Sequence, residues 1–215
     1  MKATRTYLVE DHPVMREGYE SLIALEPDLD LCGSAGSAED ALSEIQSLVP
    51  DVAVVDLQLP GVNGVELIKR IRAIGLPTKL LVVSAHEEDL YAERALKAGA
   101  QGYLMKQESA KRVVTAIRAV ADGRLYLSAS LRSRLLEGWL DSRNPASRVE
   151  ALSDREIEVF ELMGLGRTTK QIAVTLGLSP KTIETHRSHI KEKLGATSTP
   201  ELIREAVLWT SSAMP

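Results

Sequence analysis

The sequence predicts an α/β fold: a five-stranded parallel doubly wound domain followed by a small all-α domain. Three observations carry this. Over residues 1–123, short apolar runs rich in β-formers alternate with stretches whose apolar residues recur at helical spacing. Near-continuous apolar strands belong to a parallel sheet covered on both faces. From Leu152 onward only the helical period remains. A length of 215 residues suits two such domains, each able to bury a core.

In chain order, the strand-like runs are Thr6–Val9, Leu29–Cys32, Val52–Val55, Leu80–Val83 and Gly102–Met105. The amphipathic stretches are Val14–Leu25, Ala38–Leu48, Val65–Ile74, Leu90–Ala98 and Val113–Ala121. Ser37 with Asp40 forms a helix-start pair, and Gly75 and Gly99 stand where helices should stop. Past Gly123, the residues Leu127, Leu131, Leu135, Leu136 and Trp139 predict one more amphipathic helix. Residues 141–147 lose periodicity and have linker composition. Further on, Ser153 and Glu156 predict a capping box, and a helix from about Thr168 to Leu176 is broken by Gly177. Ser179-Pro180 opens a third helix to Leu194, and Thr199-Pro200 opens a fourth ending near Trp209. Three compact helices with a glycine-containing turn before the third make a helix-turn-helix. The domain reading is 1–123, a helix and linker over 124–148, and a helix-turn-helix domain over 149–215.

The chemistry sits where strands end. Strand one runs into Glu10-Asp11 and strand three into Asp56. With strand order 2-1-3-4-5, these two strands are neighbours at the topological switch point, so three carboxylates converge. Like charges that close take up protons or hold a cation. Hard oxygen ligands, with no Cys/His set beside them, favour Mg²⁺ over zinc. Strand four ends at the Ser84 hydroxyl and strand five at the Lys106 ammonium. A carboxylate, a divalent metal, a hydroxyl and a lysine together suit phosphoryl transfer onto Asp56.

On Glu10-Asp11, the Asp56-Leu-Gln-Leu-Pro60-Gly61 run, Ser84-Ala85 and Gly102–Lys106, residues 1–123 resemble the flavodoxin-like receiver domain of two-component response regulators. Leu152–Glu156, Thr169–Ala173, Leu178–His186 and Ile190–Leu194 follow the LuxR-type helix-turn-helix pattern. The whole chain therefore resembles a NarL/FixJ-family response regulator. The resemblance implies that Asp56 is the phosphoacceptor, with Mg²⁺ on Asp11, Asp56 and the Gln58 backbone carbonyl. Glu10 would act through metal-bound water. Ser84 and Lys106 would hold the phosphoryl oxygens, and Tyr103 would report the state by turning inward. Gln107 departs from the family, in which proline often follows the lysine and the preceding bond is cis. His12 and His86 are read as loop residues rather than ligands.

The same resemblance places the third helix in DNA. Thr182 and Thr185 would meet bases, with Glu184 and Ser188 where some relatives carry lysine. Lys170, Lys181, Arg187 and Lys191 would meet phosphates. On the last helix, Val207 and Trp209 would form a dimer contact. The implied partners are a sensor histidine kinase, double-stranded DNA and a second copy of the chain, with no membrane. Two other classes stay open from the residues: an aspartyl-phosphate hydrolase, which lacks the Asp-x-Asp signature here, and a phosphate-independent binder, which usually loses pocket groups.

Net charge is -4 over the chain, which argues against a generally polybasic nucleic-acid binder. The charge is uneven: residues 1–123 carry 13 basic and 19 acidic groups, while residues 151–215 carry 8 of each. The acidity belongs to the first domain. A DNA-binding domain without net charge is expected to bind modestly as a monomer and to depend steeply on dimerisation and salt. One cysteine excludes a disulfide scaffold, and Cys32 is expected to be a small buried hydrophobe. The apolar start stops at Val9, too short for a secretory signal, and no window approaches a membrane span. The expectation is a soluble, cytoplasmic protein that is a regulator rather than an enzyme.

Overall fold

The computed structural model describes residues 2–85, 88–133 and 148–213. His86, the expected helix residues Leu135, Leu136 and Trp139, and the 141–147 linker lie outside them. The chain divides into two compact units, Met1–Ser142 and Arg143–Pro215.

The first unit alternates strand and helix: β1 (Thr4–Val9), α1 (Pro13–Ala24), β2 (Leu29–Ala35), α2 (Ala38–Leu48), β3 (Val52–Val55), α3 (Gly64–Ala73), β4 (Lys79–Ser84), α4 (Glu88–Ala98), β5 (Gly102–Met105) and α5 (Ala110–Ala121). The sheet is parallel throughout, in the order β2-β1-β3-β4-β5. Side chains alternate across it. Leu8, Val52, Val54, Leu81, Val83 and Leu104 share one buried face with Tyr19 and Ile23 of α1 and Val113, Ile117 and Val120 of α5. Tyr7, Val9, Ala53, Val55, Leu80, Val82 and Tyr103 are buried on the other face. Ser37 caps α2 by accepting from the Asp40 N–H, and Gly75 and Gly99 end their helices at positive φ. No peptide bond among the described residues is cis, that between Lys106 and Gln107 included.

Strand two differs from the expectation. It continues through Gly33 to Ala35, and the register slips so that Thr6 pairs with Leu31 but Tyr7 with Gly33. Cys32 is the extra residue of this bulge, which takes it out of the ladder and leaves it half-buried instead of buried. Its Sγ lies 3.4 Å from the Thr6 carbonyl oxygen, and burial pushes the thiol up, away from the reactive thiolate. After α5 the chain returns alongside β5. Tyr126 forms a parallel bridge with Gly102: the Tyr103 N–H donates to the Tyr126 carbonyl (2.9 Å) and the Tyr126 N–H to the Gln101 carbonyl (3.0 Å).

The second unit opens with a 3₁₀ turn (Arg148–Ala151), then α6 (Asp154–Gly164), α7 (Thr169–Thr175), α8 (Pro180–Leu194) and α9 (Thr199–Ala213). Ser153 and Glu156 form the expected capping box, and Thr168 with Gln171 forms a second one. Gly177, at φ 62°, turns the chain between α7 and α8. Ser179 caps α8 with Pro180 in its first turn. The cap of α9 is Ser198, one residue before the expected Thr199, because its Oγ accepts from the Glu201 N–H (3.3 Å). That helix runs on past Trp209 to Ala213. Ile157, Phe160, Ile172, Ile183, Ile190, Leu202 and Ala206 fill the core. Among the described residues no helix is long and apolar enough to cross a membrane.

Candidate functional site

Each polar group expected in the first domain's pocket stands at or just past a strand's carboxyl end, where the ladder still holds its main chain. The Glu10 N–H donates to the Ala35 carbonyl (3.0 Å), that of Asp56 to Val9 (2.9 Å) and that of Lys106 to Ser84 (2.7 Å). Neighbouring strands thus fix where these side chains start. Lys106 Nζ then closes the pocket, 2.9 Å from Asp56 Oδ2 and 2.7 Å from Glu10 Oε2. The Asp56 and Glu10 side chains are only 1% and 2% exposed, so their charges depend on this lysine rather than on water.

Burial pushes the Asp56 carboxyl up to about 6, with Lys106 pulling it down and Glu10 pushing it further up. Burial also works against the Lys106 ammonium, but Asp56 and Glu10 outweigh it and hold its pKa above the usual lysine range. Asp56 Oδ1 is buried and has no hydrogen-bond partner. Asp11 Oδ1 is likewise unbonded, although His12 Nδ1 lies 2.8 Å away outside hydrogen-bond geometry. Carboxylate oxygens of Glu10, Asp11 and Asp56 and a ring nitrogen of His12 all lie within 4.8 Å of one another. Two unbonded carboxylate oxygens in a hard-donor set fit Mg²⁺. The His12 side chain is 62% exposed. Gln58 is half-buried in the β3–α3 loop. Ser84 is fully buried, and so is Tyr103, whose inward placement was expected only after activation.

Three residues of this pocket went unnoticed in the sequence. Arg16 Nη1 donates to the Glu10 carbonyl (2.9 Å), pinning the acidic loop. Tyr19, three residues on along α1, has its hydroxyl pushed up to about 12, mainly by burial, with Lys106 opposing and Glu10 and Asp56 adding. Both lie one helical turn apart just after the acidic pair, which is the signal that could have found them. Gly64 packs so close beneath Asp56 that a Cβ there would lie 2.2 Å from the Asp56 carbonyl oxygen.

In the second unit, α8 turns Ile183, Ile190 and Leu194 inward. Lys181, Glu184, Thr185 and Ser188 are exposed, as is Lys170 on α7, while Thr182, Arg187 and Lys191 are half-buried. Thr182 Oγ1 sits 2.8 Å from Ser179 Oγ, and Thr185 Oγ1 donates to the Lys181 carbonyl (3.1 Å). Arg187 Nη1 donates to Thr169 Oγ1 (2.7 Å), which in turn donates to Glu184 Oε1 (2.7 Å). Val207 and Trp209, expected together in a contact, differ in environment. Val207 is exposed near Ile203 and Leu208. Trp209 is half-buried, its ring centroid 5.7 Å from that of Phe160.

A buried carboxylate ties this unit together. Burial works against Glu156, but Lys193 Nζ (2.6 Å) and the Ser153 N–H (2.7 Å) outweigh it and hold its pKa below the usual glutamate range. A carboxylate with a depressed folded pKa stabilises the fold above its unfolded value, and this is lost as pH falls through the folded pKa. Urea denaturation of the second unit is therefore expected to show stability falling below the ordinary value of 4.5, with Glu156→Gln flatter across the same window. Parallel profiles would remove Glu156 as the cause.

The response regulator receiver domain family matches residues 7–118, and the luxR family of bacterial regulatory proteins matches residues 150–206. The transcriptional regulatory protein UhpA of Escherichia coli strain K12 is 35% identical over 92% of this chain and 94% of its own. The Bordetella pertussis virulence factors putative positive transcription regulator BvgA is 32% identical over 93% and 94%. Among solved structures, the receiver domain of the putative response regulator NarL from Mycobacterium tuberculosis matches with a TM-score of 0.56 at 34% identity, covering 58% of this chain and all of that one.

Proposed function

The chain belongs to the response regulators of two-component systems, with a receiver domain and a LuxR-type DNA-binding domain, and on that premise we propose that phosphorylation of Asp56 drives it to dimerise on DNA. The observation that carries this is the Asp56 carboxylate: buried, with Oδ2 on Lys106 and Oδ1 without a partner. A partner sensor kinase presents a phosphohistidine. An Asp56 oxygen attacks phosphorus, the P–N bond breaks with its electron pair returning to the imidazole, and an acyl phosphate forms. Lys106 neutralises charge on the phosphoryl oxygens and Ser84 offers its hydroxyl to them. Asp11, Asp56 and the Gln58 carbonyl, with Glu10 through water, would hold Mg²⁺, which supplies further positive charge when bound. Apart from slow loss of its own phosphoryl group, the protein turns nothing over.

The added group brings about -1.5 to -2 charges and strong acceptors. With Tyr103 already inside, the modification locks that placement through Ser84. The receiver is taken as residues 1–123, the helix and linker as 124–148, and the DNA-binding domain as 149–215. In the latter, Thr182, Thr185 and Ser188 face bases, while Lys170, Lys181 and Lys191 face phosphates. The exposed apolar residues Val207, Ile203 and Leu208 of α9 supply the contact between copies, with Trp209 bracing the helix from behind. A dimer sets two recognition helices about one DNA turn, roughly 34 Å, apart. DNA as the target implies a cytoplasmic protein.

The test is sizing and footprinting with Mg²⁺ and beryllofluoride. The wild-type chain is expected to shift to a dimer and protect a two-fold-symmetric site; Asp56→Asn is expected to do neither. A variant that responds like the wild type would sink the proposal.

A further inference from the structure

We infer that Thr169 and Glu184 are positioning residues that hold Arg187 away from DNA phosphates and so limit sequence-independent binding, an inference resting on the reading of α8 as the helix that enters the groove. Sequence alone makes Arg187 a phosphate contact, since it is a cation on an otherwise polar helix face. The side chain lies elsewhere. Its Nη1 donates to Thr169 Oγ1 at 2.7 Å and lies 3.4 Å from Glu184 Oε1. Thr169 in turn donates its hydroxyl hydrogen bond to the same Glu184 oxygen at 2.7 Å. A threonine hydroxyl has one donor and two acceptor positions, so the order guanidinium to hydroxyl to carboxylate is a complete ring, with the charge pair closing it. Arg187 is correspondingly withdrawn: its side chain is 19% exposed, against 60% for Glu184.

Thr169 is the first residue of α7, inside the Thr168–Gln171 capping box. That box fixes the main chain from which the Thr169 hydroxyl projects. The ring therefore links the start of α7 to the middle of α8, across the two helices of the motif.

The consequence for binding follows from charge. Sequence-independent affinity for DNA comes from cations that displace counterions from phosphates. An Arg187 that left for a phosphate would give up its hydrogen bond to Thr169 and leave Glu184 facing an anionic backbone. The pair stays closed and contributes no net charge to that term. Lys170, Lys181 and Lys191 carry it instead. Because the phosphate term acts on every sequence alike, the closed ring lowers the chain's sequence-independent affinity and its salt dependence.

The experiment uses the full chain and a mixed-sequence duplex lacking any selected site, with affinity measured by fluorescence anisotropy across a range of salt. Glu184→Gln is expected to raise affinity and to steepen the slope of log K against log salt by about 0.9 for each recognition helix bound, one phosphate's worth. Adding Arg187→Gln to that variant should abolish the extra slope. Thr169→Val should steepen the slope as Glu184→Gln does, and Thr169→Ser, which keeps the hydroxyl, should match the wild type. If Arg187→Gln alone flattens the slope by about 0.9, the arginine already sits on a phosphate and the inference is wrong. It is equally wrong if the Glu184→Gln gain survives loss of Arg187, because simple removal of a repulsive carboxylate would then explain it. Lys181→Gln is the separate check: if it leaves the slope unchanged, the reading of α8 itself fails, and the inference with it for that distinct reason.

Discussion

Replacing Lys106 by methionine is expected to cost the receiver about 3–5 kcal/mol, the usual penalty for removing one member of a buried ion pair. The magnitude rests on what is left behind. The Glu10 and Asp56 side chains are 2% and 1% exposed, and Lys106 Nζ touches both, at 2.7 and 2.9 Å. Methionine fills the space but leaves two buried carboxylates facing each other. Urea denaturation in chelator should show the full loss, and Mg²⁺ should recover part of it by restoring positive charge. Adding Glu10→Gln should recover stability too, since it removes one of the two charges. A loss of about 1 kcal/mol or less, the worth of an exposed pair, would mean the lysine is not what compensates these carboxylates. Phosphoryl acceptance by Asp56 should fail in the single variant whatever its stability.

Gly64→Ala should be nearly as damaging, for a steric reason. The new Cβ would stand 2.2 Å from the Asp56 carbonyl oxygen and 2.7 Å from Leu57 Cα. Both are main-chain atoms, which cannot rotate aside, so either α3 lifts or the end of β3 moves. Overpacking commonly costs 1–3 kcal/mol, and a backbone clash this close should reach about 3 kcal/mol or more. Movement at β3 displaces the phosphoacceptor, so labelling of Asp56 by a small phosphodonor should slow in the folded fraction. Gly18→Ala is the matched control: nothing lies within 4 Å of its added methyl group in α1. It should stabilise by about 0.5–1 kcal/mol through helix propensity. Equal melting curves for Gly64→Ala and the wild type would refute the clash.

The alternation of five apolar runs with amphipathic stretches was enough to foresee a parallel doubly wound sheet, and the order 2-1-3-4-5 came with the flavodoxin-like form that the motifs resemble. The pocket followed from that order, since Glu10, Asp11, Asp56, Ser84 and Lys106 all stand at the same ends of their strands. Helix starts were legible where Ser37, Ser153 and Ser179 cap their own helices, but the Asn63 cap of α3 was missed and that of α9 was placed one residue late. What stayed hidden depends on partners remote in sequence. The bulge at Cys32 arises from register against β1, which no local pattern encodes. The path of Tyr126 along β5 needs a neighbour some 24 residues earlier in the chain. Thr169 meets Arg187 and Glu184 only because α7 and α8 cross, so helical spacing within α8 alone could not show these bonds. Trp209 matched the apolar stripe of α9, but the stripe could not say which of its members faces Phe160.

The return of the chain beside β5 bears on how this protein avoids unwanted association. In the order β2-β1-β3-β4-β5, the strands β2 and β5 are outermost. An outermost strand offers unused amide and carbonyl groups, a template onto which a foreign strand can add. At the start of β5 that template is already taken by the chain itself: the Tyr103 N–H and the Gln101 carbonyl are both bonded to Tyr126. A strand from another molecule would have to strip Tyr126 away before it could dock there. Partners that meet this start of β5 must therefore recognise side chains, not bare backbone.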